Sequence, residues 1–262
     1  MPHLPIRLFF LWTILLSTLF SKGFELRYKV GEKGDEYRFK TKYNVKFTSL
    51  DGVQSLEERM SGTFMDTAVK KLENDSFRIA RAVQVEEYIH NGDAQPIKDF
   101  ERTLAGYEYI LHPRKGKIRI VGNESFDPND ALEFIVPLPR KQLRVGDSWR
   151  KTYYYNLAVG KRRKIPLKGA FKLADIQGNI GRIVGRFRAK IPPDSKLNYE
   201  GSIRLDAEYY FHLLDGTFER GRVTTGLLYQ SKSVIAKEFF LQSKRKERLG
   251  YALQFSSTFE RN

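Results

Sequence analysis

Histidine, cysteine and carboxylate residues are the usual sources of metal and acid–base chemistry, and their placement here favours neither. The chain has no Cys and four His. Beyond the first 21 residues the histidines are His90, His112 and His212, and none lies within metal-ligand spacing of another. No glycine-rich phosphate loop followed by Lys-Ser or Lys-Thr is present. The sequence therefore predicts no metal site, no cofactor and no catalytic residue.

The block Gly146-Asp147-Ser148 suggests a hydrolase, because Gly-Asp-Ser marks one superfamily of esterases. In those enzymes the block lies near the mature N-terminus and opens a helix, whereas here it is mid-chain and enters the strand-like segment Trp149–Leu157. No Asp-x-x-His pair follows, and a serine nucleophile needs a base within hydrogen-bond reach. We therefore interpret Gly146 and Asp147 as a turn and Trp149 as a core residue.

Clusters of basic residues are the most informative candidates for binding. One interpretation of these clusters is a solubilising surface, because basic residues on strands and sheet edges block pairing between sheets. The alternative is contact with an anionic lipid head group or polymer, and the arginines favour it slightly because guanidinium binds phosphate and carboxylate in a fork. The candidate anion contacts are Lys161, Arg162, Arg163, Lys164, Arg182, Arg186, Arg188 and Lys190, with Lys244-Arg245-Lys246 as a further cluster.

The formal net charge of +15 argues for an acidic partner or surface. The first 21 residues contain Arg7 and an apolar run from Leu8 to Phe20, which is typical of a secretory signal peptide; an uncleaved anchor is the alternative. Export combined with the lack of Cys favours a bacterial envelope, periplasmic or extracellular. Possible partners are then anionic lipid, lipopolysaccharide or cell-wall polymer. Nucleic acid is not expected, nor is a membrane span once the signal is removed.

Two similar segments predict an internal duplication. Gly34-Asp35-Glu36-Tyr37-Arg38 matches Gly146-Asp147-Ser148-Trp149-Arg150, and Arg78-Ile79 is echoed by Arg182-Ile183. An internal repeat would determine the architecture of the whole fold. The predicted organisation is a signal peptide over 1–21, a first β repeat over 22–136 and a second over 137–262.

Alternation of apolar and polar residues predicts long strands. Residues 37–47 and 203–213 each repeat with a period of two, which gives one apolar and one polar face. Asp51-Gly52, Asn91-Gly92 and Asp215-Gly216 predict tight turns between strands. We expect an all-β fold of long antiparallel strands in curved sheets, either an open barrel or a sandwich, with very little helix. A short helical turn is expected near Asp127–Phe134, and a bend at Lys244–Glu247.

The string Val136-Pro137-Leu138-Pro139 followed by Val145-Gly146-Asp147-Ser148-Trp149 resembles a loose family of uncharacterised secreted bacterial β proteins. The resemblance implies an exported all-β domain without assigned catalytic residues. A more distant analogy is to the open barrels of periplasmic lipoprotein carriers, and it rests on architecture alone.

Three functions follow as expectations. The first is a non-enzymatic envelope protein that binds an anionic amphiphile or hydrophobic ligand against a curved apolar sheet face. The second is a structural or adhesive component that binds polyanionic polymers through basic loops. The third, a hydrolase, is the least favoured. A filled interior would favour surface binding, and an apolar cavity of several hundred Å³ would favour a carrier.

Overall fold

Over the residues that the structure describes, the protein folds as a single curved, open antiparallel sheet of twelve strands, which confirms the all-β prediction. The computed structural model describes residues 23–50, 54–97, 106–121, 136–157, 163–192, 199–231 and 250–262. A short 3-10 turn, Glu73–Asp75, lies between the second and third strands. The strands are β1 (Glu36–Ser49), β2 (Ser55–Lys71), β3 (Phe77–His90), β4 (Asp93–Ala94), β5 (Tyr107–His112), β6 (Gly116–Val121), β7 (Ser148–Leu157), β8 (Arg163–Gln177), β9 (Ile180–Ile191), β10 (Tyr199–His212), β11 (Thr217–Ser231) and β12 (Gly250–Arg261).

The strands follow the order β6-β5-β3-β2-β1-β12-β11-β10-β9-β8-β7, and β4 pairs with β3. Six strands come from residues 22–136 and six from residues 137–262. The two sets join through β1 and β12, which pair from Phe39 opposite Arg261 to Ser49 opposite Tyr251. The described strands therefore form one open curved sheet, as the predicted open barrel requires, and not the two packed sheets of the predicted sandwich.

Strict alternation gives the sheet two unlike faces. In β9 the side chains of Ile183 and Phe187 are buried, whereas those of Arg182 and Arg186 are exposed. The same period of two runs through β10 and β12, because successive strand residues point to opposite sides. The face that carries Phe187 is called the apolar face below, and the face that carries Arg186 the polar face.

Residues 23–35 form an N-terminal strap across one end of the apolar face. Phe24 exchanges backbone hydrogen bonds with Leu143, and the N–H of Tyr28 donates to the Pro113 carbonyl at 2.8 Å. The side chains of Leu26 and Tyr28 are buried in the core. The strap thereby adds apolar residues where the strand turns would leave the core open.

The two Gly-Asp turns singled out in the sequence have the same geometry. Gly34 and Gly146 both have φ of 97°, a left-handed conformation that favours glycine. The Gly34 N–H donates to the Ala68 carbonyl at 2.8 Å, and the Gly146 N–H donates to the Leu173 carbonyl at 2.7 Å. Each glycine thus ties the start of a strand to the next strand in the chain. The duplication that this similarity suggests remains a prediction.

A second correspondence involves two ion pairs on neighbouring strands. Arg78 in β3 donates to Glu108 in β5 with Nε at 2.7 Å, and Arg182 in β9 donates to Glu208 in β10 with Nε at 2.5 Å. These arginines are the ones matched in the sequence comparison. Similar local structure therefore recurs in both halves of the sheet.

Several predicted features lie outside the described residues. They are the signal peptide over 1–21, the Asp51-Gly52 turn, the short helical turn near Asp127–Phe134, the bend at Lys244–Glu247 and the basic cluster Lys244-Arg245-Lys246. Among the residues that the structure does describe, no helix has the length and apolar character needed to cross a membrane.

Candidate anion-binding groove

An open groove of about 890 Å³ runs across the polar face of five neighbouring strands, β9, β10, β11, β12 and β1. Charged side chains line it because the period of two places every second residue of these strands on this face. Five are cationic and two are anionic, which gives a net charge of +3. The cations are Lys46, Arg182, Arg186, Arg204 and Arg222, and the anions are Asp206 and Glu208.

Strand register brings these charges together from distant parts of the chain. Asp206 lies opposite Arg186 across β10 and β9, and Glu208 lies opposite Arg222 across β10 and β11. Directly opposed side chains have Cβ atoms about 4.5–5.5 Å apart. The charged side chains of three strands therefore form one continuous surface.

Only some of the arginines on this face form ion pairs with the two carboxylates. Arg182 Nε lies 2.5 Å from a Glu208 oxygen, and Arg188 Nη2 lies 3.1 Å from Asp206 Oδ1. Arg204 also pairs with Asp206. Among the described residues Arg186 and Arg222 have no ion pair or side-chain hydrogen bond, so their guanidinium groups are available to a ligand.

Hydrogen bonds from these arginines lower the pKa of both carboxylates. Partial burial alone would raise the pKa of Asp206, but hydrogen bonds from Arg204 and Arg188 lower it overall. The hydrogen bond from Arg182 lowers the pKa of Glu208. The ion pairs with these arginines therefore account for the lowered pKa of both groove carboxylates.

Arg182 and Arg186 are the predicted anion contacts that the structure places in this groove. Arg188 and Lys190 are exposed on the same face of β9, and Lys164 is exposed at the start of β8. Lys161, Arg162 and the side chain of Arg163 lie outside the described residues.

Sequence reasoning did not select Lys46, Arg204 or Arg222 as anion contacts. Each stands at a polar position of its alternating strand, which is a signal that the sequence contains. Their proximity to Arg186 depends on the pairing of β1 with β12 and on the strand register. Those relationships cannot be read from one strand at a time.

The apolar face contains a buried ion pair that sequence reasoning also missed. Asp66 Oδ1 and Oδ2 each accept a hydrogen bond of 2.6 Å from the Arg81 guanidinium, and the Tyr109 hydroxyl donates to Asp66 at 3.0 Å. Burial alone would lower the pKa of Arg81, but the Asp66 carboxylate raises it overall. In the sequence, Asp66 and Arg81 each occupy a position that the alternation of their strand assigns to apolar residues, and this pattern could have indicated the ion pair.

A small cavity adjoins this ion pair. Its volume is about 60 Å³, and Tyr28, Asp66, Arg81 and Phe218 are among the residues that line it. Since a buried water needs roughly 10–15 Å³, the cavity has room for a few waters and not for an acyl chain. The groove on the opposite face is the larger binding space.

The remaining candidates have structural contacts. The Gly146-Asp147 turn leads into β7, and the Trp149 indole donates to the Pro137 carbonyl at 2.8 Å while packing on the core. Nδ1 of His112 and Nδ1 of His212 accept backbone N–H groups from the turns that follow them. Burial lowers the pKa of His112, and nearby basic residues lower it further.

The described residues contain no group of three or more His, Cys, Asp or Glu side chains arranged to hold a metal. Comparison with known proteins found no matching family, and no curated protein is similar in sequence. The resemblance to secreted bacterial β proteins therefore remains a prediction.

Proposed function

We propose that the protein is a non-enzymatic, exported component of a bacterial envelope that binds phosphate-bearing anions in the polar-face groove. The observation that supports this function is the pair Arg186 and Arg222, two arginines in one groove without an acidic partner among the described residues. Other arginines of the groove are already paired with Asp206 or Glu208.

The spacing of the two arginines suits a single anionic group. Arg186 lies on β9 and Arg222 on β11, with β10 between them. Across β10, Thr224 of β11 is the residue in line with Arg186, and Arg222 lies two residues from Thr224. With about 4.8 Å between strands and about 3.3 Å per residue, the Cα atoms of the two arginines are about 12 Å apart. Two extended arginine side chains can span that distance and converge on one phosphate. The phosphate would also lie near Asp206 and Glu208 of β10, whose negative charges are offset by their ion pairs with other arginines.

The choice of arginine supports phosphate as the ligand chemistry. A guanidinium group presents its N–H donors in a planar fork that matches phosphate and carboxylate oxygens. Charge-assisted hydrogen bonds of this kind are roughly twice as strong as neutral ones. The net positive charge of the whole chain would also raise the rate at which an anion reaches the groove.

Within the described residues, the packing of the apolar face favours this surface over an internal carrier site. Side chains such as Phe171, Phe187 and Tyr209 are fully buried there, and the cavity beside Arg81 is small. The expected binding of an acyl chain against the apolar face is therefore not the function that we propose.

Calorimetric titration with inorganic polyphosphate tests the proposal. The double variant Arg186→Gln/Arg222→Gln should bind at least tenfold more weakly than the unaltered protein at low salt. Arg140→Gln/Arg144→Gln is the matched control, because it removes two exposed arginines outside the groove. The control should change affinity by less than twofold. Equal losses in the two double variants, or no loss in either, would refute the groove as the binding site.

A further inference from the structure

Two neighbouring apolar side chains lie at one end of the groove, flanked by Ser202 and Thr48. Leu228 of β11 lies directly opposite Ala252 of β12, and both line the groove. The Leu228 side chain is large and apolar, and yet 38% of it is exposed to solvent. Leu50, which is 40% exposed, lies next to Gly250, two residues before Ala252 in β12, because a side chain built at Gly250 would meet its Cδ1 at 2.8 Å.

The apolar end and the free arginines share one continuous surface. Along β11 the polar-face positions are Arg222, Thr224, Gly226 and Leu228. The three steps from Arg222 to Leu228 span about 20 Å at roughly 3.3 Å per residue. Gly226 leaves this path open, since a Cβ added there would meet nothing within 4 Å.

An elongated amphiphile has the matching arrangement, with a charged head group at one end and an apolar chain at the other. The acyl chains of one membrane leaflet are about 15 Å long, half of a hydrocarbon core of about 30 Å. A phosphate head group at Arg186 and Arg222 would therefore place its chain along Gly226 toward Leu228. The volume of about 890 Å³ also lies within the range of pockets that hold small molecules.

We infer that the ligand of the groove is a single phosphorylated amphiphile, with its head on Arg186 and Arg222 and its acyl chain over Leu228 and Ala252. This inference rests on the proposed anion-binding function and narrows it. A soluble polyanion would use the arginines and gain nothing from the apolar end.

The test compares dodecyl phosphate below its micelle concentration with ethyl phosphate, by calorimetry. Both have the same head group, so a difference in affinity measures the contribution of the chain. Dodecyl phosphate should bind at least tenfold more tightly. Leu228→Ser should reduce that preference about fivefold. The matched control Leu214→Ser alters an exposed leucine outside the groove and should leave the preference intact.

The outcomes separate this inference from the proposed function. Equal affinity for the two phosphates, with polyphosphate binding still dependent on Arg186 and Arg222, would overturn the amphiphile and leave anion binding intact. A chain preference that Leu228→Ser does not alter would also overturn it, because the chain would then lie elsewhere. Loss of all phosphate binding would overturn both.

Discussion

Asp66 in β2 lies directly opposite Arg81 in β3, and two hydrogen bonds of 2.6 Å join their side chains inside the apolar face. Both side chains are almost completely buried, at 9% and 4% exposure. The turn hydrogen bonds from Gly34 to Ala68 and from Gly146 to Leu173 make Phe171 the structural equivalent of Asp66 in the other half of the sheet. Phe171 lies opposite Gly185 instead. One half of the sheet therefore has a charge pair where the other has an aromatic ring over a glycine.

Breaking this ion pair should destabilise the fold. Asp66→Asn or Arg81→Met alone leaves a buried charge without its partner, which typically costs about 3–5 kcal/mol. The double variant Asp66→Leu/Arg81→Met removes both charges, so its loss should be well below the sum of the single losses. Urea unfolding of the variants measures this coupling. Additive losses would show that the pair is not energetically linked.

The hydroxyl of Tyr153 should be dispensable for stability. Burial raises the pKa of Tyr153, and within the described residues its hydroxyl has no hydrogen-bond partner. Since a buried unsatisfied polar group costs about 1–3 kcal/mol, Tyr153→Phe should raise the free energy of unfolding. Tyr109→Phe is the contrasting variant, because it removes the hydroxyl that donates to Asp66 and should be destabilising. A loss of stability in Tyr153→Phe, measured by thermal unfolding, would contradict the assignment.

The N-terminal strap should contribute to folding through its buried side chains. Leu26 is fully buried, so Leu26→Ala should cost about 2–5 kcal/mol through lost burial and the cavity that remains. Leu214→Ala at an exposed position should change stability by no more than about 0.5 kcal/mol. Chemical denaturation compares the two. Equal effects would mean that the strap is not packed as the structure shows.

Removing a carboxylate from the groove should strengthen anion binding. Asp206→Asn releases Arg188 and Arg204 from their ion pairs and raises the net charge of the groove by one. The affinity for polyphosphate at pH 7 and low salt should rise severalfold in a calorimetric titration. Asp93→Asn, at an exposed position on β4 outside the groove, is the control. An unchanged or weaker affinity in Asp206→Asn would contradict the role of the released arginines.

The pH dependence of stability should include a contribution from the same carboxylate. The folded protein lowers the pKa of Asp206, so its stabilising contribution is present above its ordinary range and is lost as pH falls through the lowered value. Stability measured by urea unfolding between pH 7 and pH 2 should therefore fall less steeply in Asp206→Asn than in the unaltered protein. Identical acid profiles would rule out this contribution.

Much of the fold could be predicted from local patterns. The period of two in residues 37–47 and 203–213 predicted β1 and β10, and each Gly-Asp turn begins a strand as expected. The sequence left open whether the strands form one sheet or two. That choice depends on the pairing of β1 with β12, which are far apart in the chain and have no shared turn to indicate the contact.

The candidate site could be predicted only in part for the same reason. The alternation in β9 identified Arg182 and Arg186 as exposed cations, but it could not identify Arg222 as their neighbour, because register across β10 is a tertiary property. The apolar end of the groove was also unforeseen. Leu228 lies on the polar face of its strand, and a single leucine there has no periodic signal.

Side-chain NMR of the arginines tests the central claim most directly. With ¹⁵N-labelled protein, polyphosphate should shift the Nε–Hε signals of Arg186 and Arg222 first and most, because only these groove arginines lack a carboxylate partner among the described residues. The signals of Arg140 and Arg144 should remain nearly unchanged at the same ligand concentration. Equal shifts across all exposed arginines, or the largest shifts at Arg140 and Arg144, would contradict binding in the groove.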